Sequence, residues 1–443
     1  MSGIMDMVHL DTGLVDCAAY SPEVYVEELD RVFGRTWIFV GHVAQVPRPG
    51  DFVTGWIGET PVALVHGGDG AIRGFVNRCA TSQRPFLAYD AGHLDRLTCP
   101  AHRRGYDTLG RRLGSEPADD AACLTPVPRL SVYGGLVFGS LAGSGETLEE
   151  HLGEARWYLD NYVLREDIGG LQLLPGVQRY RMPGNWKLLA ENFAGDDYHV
   201  AITHASVLSL RAQQVEPRII NSPGRQATDP IFSVATGYRH GVPHGLLEVR
   251  VGDDFYNHDL MRAQTISPRA VDWVNTRKDA VDRRLAHLPA KPYSFHVGNL
   301  FPTFSIIGNG TSLEAVGLLV WHPRGPNETA VTQLGFVDAG APLELQEQMA
   351  FALSHQQAAA GVFAPDDHEN FERLAKSVQT AVARTVPFNY EMGLADEGRD
   401  VRPPEWQDPA WPGLVLPRFT ELIQRDFYRY WMTLMTTGAG NGA

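Results

Sequence analysis

The sequence predicts an α+β protein in which a small all-β domain is followed by a larger domain built on an antiparallel sheet covered by helices. From Trp37 to about Phe138, short β-rich pieces, WIFVGHV, TPVALVH and GLVFGS, are separated by Gly, Pro and Asp turns. Further on, strand-like runs such as SFHVGNLFPTFSII, EAVGLLVWHP and TAVTQLGFVDA are mixed with amphipathic helical stretches. Their order lacks the regular β-α alternation of a parallel sheet. At 443 residues the chain is long enough to bury two separate cores.

The elements follow in order. Residues 1–36 form a helical segment expected to pack with the larger domain. Within it SPEVYVEELDRVFG reads as a helix with Ser21 as N-cap and Pro22 in the first turn. Residues 37–155 form the β domain. After the amphipathic helix LEEHLGEARWYLDNYVL, residues 156–435 form the larger domain, with strands including LQLLPGVQRYRM. Helices are expected at about 186–198, 343–360, 367–382 and 418–435. The tail 436–443, TTGAGNGA, is expected to be disordered.

Composition excludes several classes. Hydrophobic residues at 44% and charged residues at 20% are ordinary for a soluble globular protein. A net charge of −14 argues against a nucleic-acid partner, which favours a basic face. The start MSGIMDMVHLDTG has no signal-peptide pattern, and no apolar run suits a membrane span, so a cytoplasmic protein is expected. Four scattered cysteines do not make a disulfide scaffold, and in a reducing compartment paired cysteines more often hold metal.

Two loops in the β domain have metal-binding character, NRCATSQRP with Cys79 and CPAHRRGYD with Cys99 and His102. A Rieske [2Fe-2S] centre uses two cysteines on one iron and two histidines on the other, and a Cys-x-His pair with a Cys-x-x-His pair would supply them. The second pair is present; in the first, Thr81 stands at the histidine position. His93, in the intervening YDAGHLDR, is the nearest replacement in sequence and also suits a solvated turn.

A second cluster lies in GNWKLLAENFAGDDYHVAITH, where His199 and His204 accompany Asp196 and Asp197. Two histidines and one carboxylate from elsewhere make the facial triad of non-haem Fe(II) oxygenases. Residues five apart on a straight helix are separated by about 140° around the axis, so convergence requires a bend or unwinding, for which Gly195 is suited. Packing or capping roles also fit such a pair. GVFAPDDHEN offers a distant carboxylate, although at a helix start Asp366 is better suited to capping.

With these pieces in view, the sequence resembles the α subunits of aromatic-ring-hydroxylating dioxygenases, the naphthalene and biphenyl dioxygenase group. The resemblance runs through FGRTWIFVGHVAQVPRPGDFVTGWIGETPVALVH, NWKLLAENFAGDDYHVAITHAS, VWHPRGPNETA, VFAPDDHENFERL and FYRYWMTLM. It implies a Rieske-like β domain and a catalytic domain with mononuclear Fe(II) held by His199, His204 and Asp367, leaving Asp366 to cap. It implies that Asn192 and Phe193 lie beside the iron, that Val200 and Phe363 line an apolar pocket, and that Asp196 bridges to a neighbouring subunit's cluster. Asp197 would add a carboxylate where the family often has a small residue. Also implied are an α-subunit trimer, commonly with β subunits, and a ferredoxin and reductase.

The first loop departs from the family's Cys-x-His-Arg-Gly at Thr81, Ser82 and Gln83, and the second from Cys-Pro-x-His-Gly-Trp at Arg103 and Arg104. A neutral threonine hydroxyl is a poor substitute for imidazole, so Cys79, Cys99 and His102 would bind iron and sulfide only as an altered cluster. The expected function is therefore that of an oxygenase large subunit acting with O2 on an apolar or aromatic substrate, its electrons supplied by a partner such as an intact α paralogue. A non-catalytic companion subunit and an iron enzyme needing no external electrons are the alternatives.

Overall fold

The structure is a computed structural model describing residues 2–79, 82–114, 123–212, 230–308, 310 and 312–437. The chain divides into two compact units, one comprising Met1–Tyr25 with Glu149–Ala443 and the other Val26–Leu148. The division falls within the Pro22–Arg31 helix, whose Val24 amide is capped by Ser21 Oγ at 3.3 Å.

In the smaller unit, Ile72–Val76, Thr60–His66, Asp51–Ile57 and Ala91–His93 form one sheet, and Arg129–Tyr133, Leu136–Ser140 and Ile38–His42 a second. Leu97–Thr98 pairs with Gly105–Tyr106, so residues 99–104 form the tip of a hairpin. Phe52, Val65, Phe75, Phe86, Leu97 and Tyr106 are packed together in the core beneath it. The other cysteine loop is held by buried Asn77. Its Oδ1 accepts from the Phe86 and Leu87 amides and its Nδ2 donates to Leu87 O. One side chain thus satisfies three backbone groups that a loop would otherwise bury unpaired.

The larger unit is built on a ten-stranded antiparallel sheet. Its main path runs Leu171–Leu173, Glu328–Asp338, Val316–Pro323, Phe304–Ile307, Val297–Leu300, His244–Val251, Ile231–Thr236 and Leu414–Pro417. Gln178–Pro183 also pairs with Glu328–Asp338, and Pro292–Ser294 with His244–Val251. Val316–Pro323 is buried at every position, which is why it reads as a continuous apolar run.

The Trp186–Gly195 helix lies between this sheet and the Leu422–Thr436 helix, close to both through glycine. A Cβ at Gly245 on the sheet would sit 1.9 Å from Ala194 O, and one at Gly195 would sit 2.2 Å from Gln424 Oε1. The helix expected at 186–198 stops at Gly195, and a short helix, Val200–Thr203, and a longer one, Ala205–Ala212, follow. The expected helices at 343–360 and 367–382 run Leu343–Gln356 and Ala364–Ser377. The last helix extends to Thr436, so the tail expected from 436 begins inside it; residues 438–443 lie outside the described residues. No helix among the described residues is long and apolar enough to cross a membrane.

Candidate metal centres

His199 and His204 converge because the backbone between Gly195 and Ala205 is not one straight helix. Asp196 closes the first helix with φ −97° and ψ 59°, and His204 closes the short one with φ −97° and ψ 20°. The imidazoles end with ring centroids 5.3 Å apart and planes at 70°. Gly195 has a different part from the one expected of it: it admits the Gln424 side chain, while the change of direction falls on Asp196.

Asp367 comes from the first turn of Ala364–Ser377, where Pro365 suits the helix start. Its Oδ1 lies 3.5 Å from His199 Nε2 and 3.3 Å from His204 Nε2. Two donors about 2.1 Å from one ion and at right angles to each other stand about 3 Å apart, so these spacings suit one hexacoordinate cation. One ligand atom from each residue lies within 4.8 Å of the others. The Asp367 helix is tied to the histidine segment by Asn370 Nδ2 donating to Thr203 Oγ1 at 3.1 Å.

The outer hydrogen bonds favour the same reading. His199 Nδ1 donates to the Asp196 carbonyl and lies 3.2 Å from Asp196 Oδ1. A carbonyl can only accept, so Nδ1 carries a proton, and Nε2, facing Asp367, is the nitrogen that can bind a metal once its own proton is lost. His204 Nδ1 faces Asp366 Oδ2 at 3.4 Å, with the same consequence. Burial opposes protonation of His199, but the hydrogen bond to Asp196 and the charges of Asp196 and Asp367 outweigh it and raise its pKa to about 9. These residues hold positive charge well, and Fe(II) suits their donor set.

Asp366 is a correction to the sequence reading. The helix N-cap is Phe363, with no side-chain cap bond, and the Asp366 carboxylate turns to His204 instead. Asp197 is another, because both of its oxygens engage Arg418, which also reaches Glu248 Oε1 at 3.1 Å. Burial and the charge of Glu248 raise the Asp197 pKa against the opposing pull of Arg418. Its carboxylate is thus committed within the protein.

Asn192 Nδ2 lies 3.3 Å from Asp196 Oδ2 and 3.5 Å from His199 Nδ1. The Phe363 ring stands edge-on to His204 at 5.1 Å, and Phe193 packs on Trp321 at 5.0 Å. Val200 begins the short helix between the histidines. Tyr180 was not singled out from sequence: its ring packs at a tilt against His368 with centroids 5.1 Å apart, and burial together with the Asp367 charge raises its pKa. Its strand contains no motif, so only the fold could find it.

In the smaller unit, Cys79, Cys99 and His102 also converge, one ligand atom from each within 4.8 Å of the others. Cys79 Sγ is 3.3 Å from His102 Nε2, and Ser82 Oγ is 3.5 Å from Cys99 Sγ. The Tyr106 hydroxyl also hydrogen-bonds Cys79. The two loops repeat one turn: each cysteine amide donates to the carbonyl five residues on, and each cysteine carbonyl accepts from the amide four residues on. That fourth residue has positive φ in both, Gln83 at 60° and Arg103 at 57°. Among the described residues no fourth His, Cys, Asp or Glu joins this group. Thr81 lies outside the described residues. His93 instead bonds Asp51 Oδ1 at 2.9 Å from an exposed strand.

Comparison with known proteins follows the same division. The family described as "Ring hydroxylating alpha subunit (catalytic domain)" matches residues 149–437, and "Rieske [2Fe-2S] domain" matches 36–129. Chlorobenzene dioxygenase subunit alpha of Cupriavidus sp. (strain PS12) is 32% identical, covering 96% of this chain and 92% of that protein. Biphenyl 2,3-dioxygenase subunit alpha of Rhodococcus jostii (strain RHA1) is 32% identical, covering 98% and 91%. The structure of naphthalene 1,2-dioxygenase from Rhodococcus sp. bound to indole aligns with TM-score 0.78 at 26% identity, covering 98% and 97% of the two chains.

Proposed function

The chain belongs to the α-subunit family of ring-hydroxylating dioxygenases, the Rieske-type non-haem iron oxygenases, and from that premise we propose that it is an oxygenase large subunit whose electrons come from a partner. The observation that carries this is an asymmetry. His199, His204 and Asp367 make a complete ligand set with both imidazoles oriented, whereas the cysteine loops retain one histidine, His102.

His199 Nε2, His204 Nε2 and one Asp367 oxygen would hold Fe(II), which supplies redox chemistry for O2 with coordination positions left open. The remaining work falls to the chain. Asp196 and Asp366 hold the Nδ1 protons of the two histidines, fixing tautomer and ring orientation. Asn192, close to both Asp196 and His199, steadies that arrangement. Phe193, Val200 and Phe363 would give an apolar or aromatic substrate a wall that excludes water. The reaction is insertion of both atoms of O2, most simply as a cis-dihydroxylation.

The [2Fe-2S] ligand set is incomplete, because residue 81 is threonine. Electrons for O2 would then arrive from an intact α paralogue in a mixed trimer, fed by a ferredoxin and reductase, with β subunits as further members. The protein would work in the cytoplasm. Asp196, whose second oxygen faces Asn192, would form the bridge toward the neighbouring subunit's cluster.

Iron and acid-labile sulfide per chain, with EPR of the reduced protein, test this reading. About one iron and no sulfide is expected after anaerobic Fe(II) loading; about three irons and two sulfides would overturn it, because that is the inventory of both centres intact.

A further inference from the structure

Resting on the reading that no [2Fe-2S] cluster forms here, we propose that Cys79, Cys99 and His102 bind one thiophilic divalent cation of the Zn2+ class. The two loops would then have exchanged a two-iron cluster for a single-ion site.

The argument begins with distance. At Zn–S of about 2.3 Å and Zn–N of about 2.1 Å, two ligand atoms on one tetrahedral ion stand about 3.6 Å apart. Cys79 Sγ and His102 Nε2 are 3.3 Å apart, close to that spacing. In a Rieske cluster the cysteines and histidines bind different irons, so the sulfur-to-nitrogen separation is longer by most of an iron–iron distance. The pair stands on the single-ion side.

Chemistry points the same way. Two thiolates and an imidazole suit zinc in a protein site, with the fourth position taken by water or a weak oxygen donor. Both cysteines are fully buried, so neither thiol is held at the surface. Each sulfur already has a hydroxyl neighbour able to donate to a thiolate, Tyr106 at Cys79 and Ser82 at Cys99. Asn77 ties the first loop to the β domain, and the two loops repeat one turn.

The test uses the full-length chain purified without chelator, with metals measured by mass spectrometry, acid-labile sulfide assayed, and zinc replaced by Co2+ for absorption spectra. Expected are about one zinc per chain, no sulfide, and an intense thiolate-to-cobalt charge-transfer band. Cys99→Ser should remove the band and lower zinc affinity more than about 100-fold, while Fe(II) binding at His199 and His204 is unchanged and Cys123→Ser alters neither. Should Cys99→Ser fail to fold, His102→Gln should weaken zinc at least about tenfold with the band shifted. No zinc taken up on adding Zn2+, with both thiols free, would overturn this inference and leave the partner-electron reading standing. Two irons and two sulfides lost in Cys99→Ser would overturn both.

Discussion

The two candidate metal-binding regions differ most in what stands behind their histidines. His199 Nδ1 meets the Asp196 carbonyl with the Asp196 carboxylate beside it, and His204 Nδ1 faces the Asp366 carboxylate, so each ring is held on the side away from Asp367. His102 Nδ1 is buried with no hydrogen-bond partner among the described residues. The catalytic region gathers carboxylates: Glu191, Asp196, Asp197, Asp366 and Asp367 lie on or beside the elements that carry the histidines. The loops gather arginines, with Arg78, Arg84, Arg103 and Arg104 flanking the thiols. A cation with nitrogen and oxygen ligands is supported from outside by carboxylates that fix imidazole tautomers. A dithiolate site brings its own negative charge, and positive neighbours stabilise it. The two regions thus obey the same electrostatics with opposite charge patterns.

The concentration of buried acids has a cost that depends on pH, and this is the largest effect expected. Glu191 lies in the helix that ends at Gly195, just before the histidine segment, and accepts hydrogen bonds from Tyr390 and Tyr428. Burial pushes its pKa from 4.5 up to about 8, against those hydrogen bonds and Lys187. Because the folded value is raised, its contribution to stability is fully present below 4.5 and is lost as pH rises through about 8. Urea unfolding at a series of pH values should show Glu191→Gln gaining on the parent across this window by on the order of a few kcal/mol. A pH-independent difference would remove the carboxylate from the account.

Next in size is the outer carboxylate itself. Asp366→Asn should weaken Fe(II) binding, read by anaerobic titration, by about 10-fold to 100-fold, with the helix content unchanged. If instead the helix loses stability and iron affinity stays put, Asp366 is a capping residue after all. The two regions would then differ less than the geometry indicates.

The smallest effect sharpens the other side. Gln83 and Arg103 hold left-handed backbone that an L side chain adopts at some cost. Arg103→Gly should therefore stabilise the protein by up to about 1 kcal/mol in urea, a gain limited by glycine's larger unfolded-state entropy. Destabilisation would mean that the guanidinium contributes more through charge than the backbone loses through strain.

Much of the candidate site could be read along the chain, because His199, His204 and Asp367 fall in two short motifs, and the structure brings the three together. The misreadings fell where a side chain's partner is distant in sequence. Asp366 reads as a cap because a helix start favours Asp whatever lies opposite, and opposite it is His204. Asp197 reads as a pocket carboxylate until Arg418 is seen to take both oxygens. Gly195 reads as a flexible point, yet it is a contact point for Gln424.

By itself the sequence determined the α+β order and which residue types stand in the two clusters, threonine at position 81 included, since these depend on residue type, periodicity and spacing. Only the tertiary structure decided which ring nitrogen faces which carboxylate, and that Cys79 Sγ and His102 Nε2 stand 3.3 Å apart. Hydrogen bonds and metal coordination are decided within a few tenths of an ångström, and that precision arises only when distant segments pack.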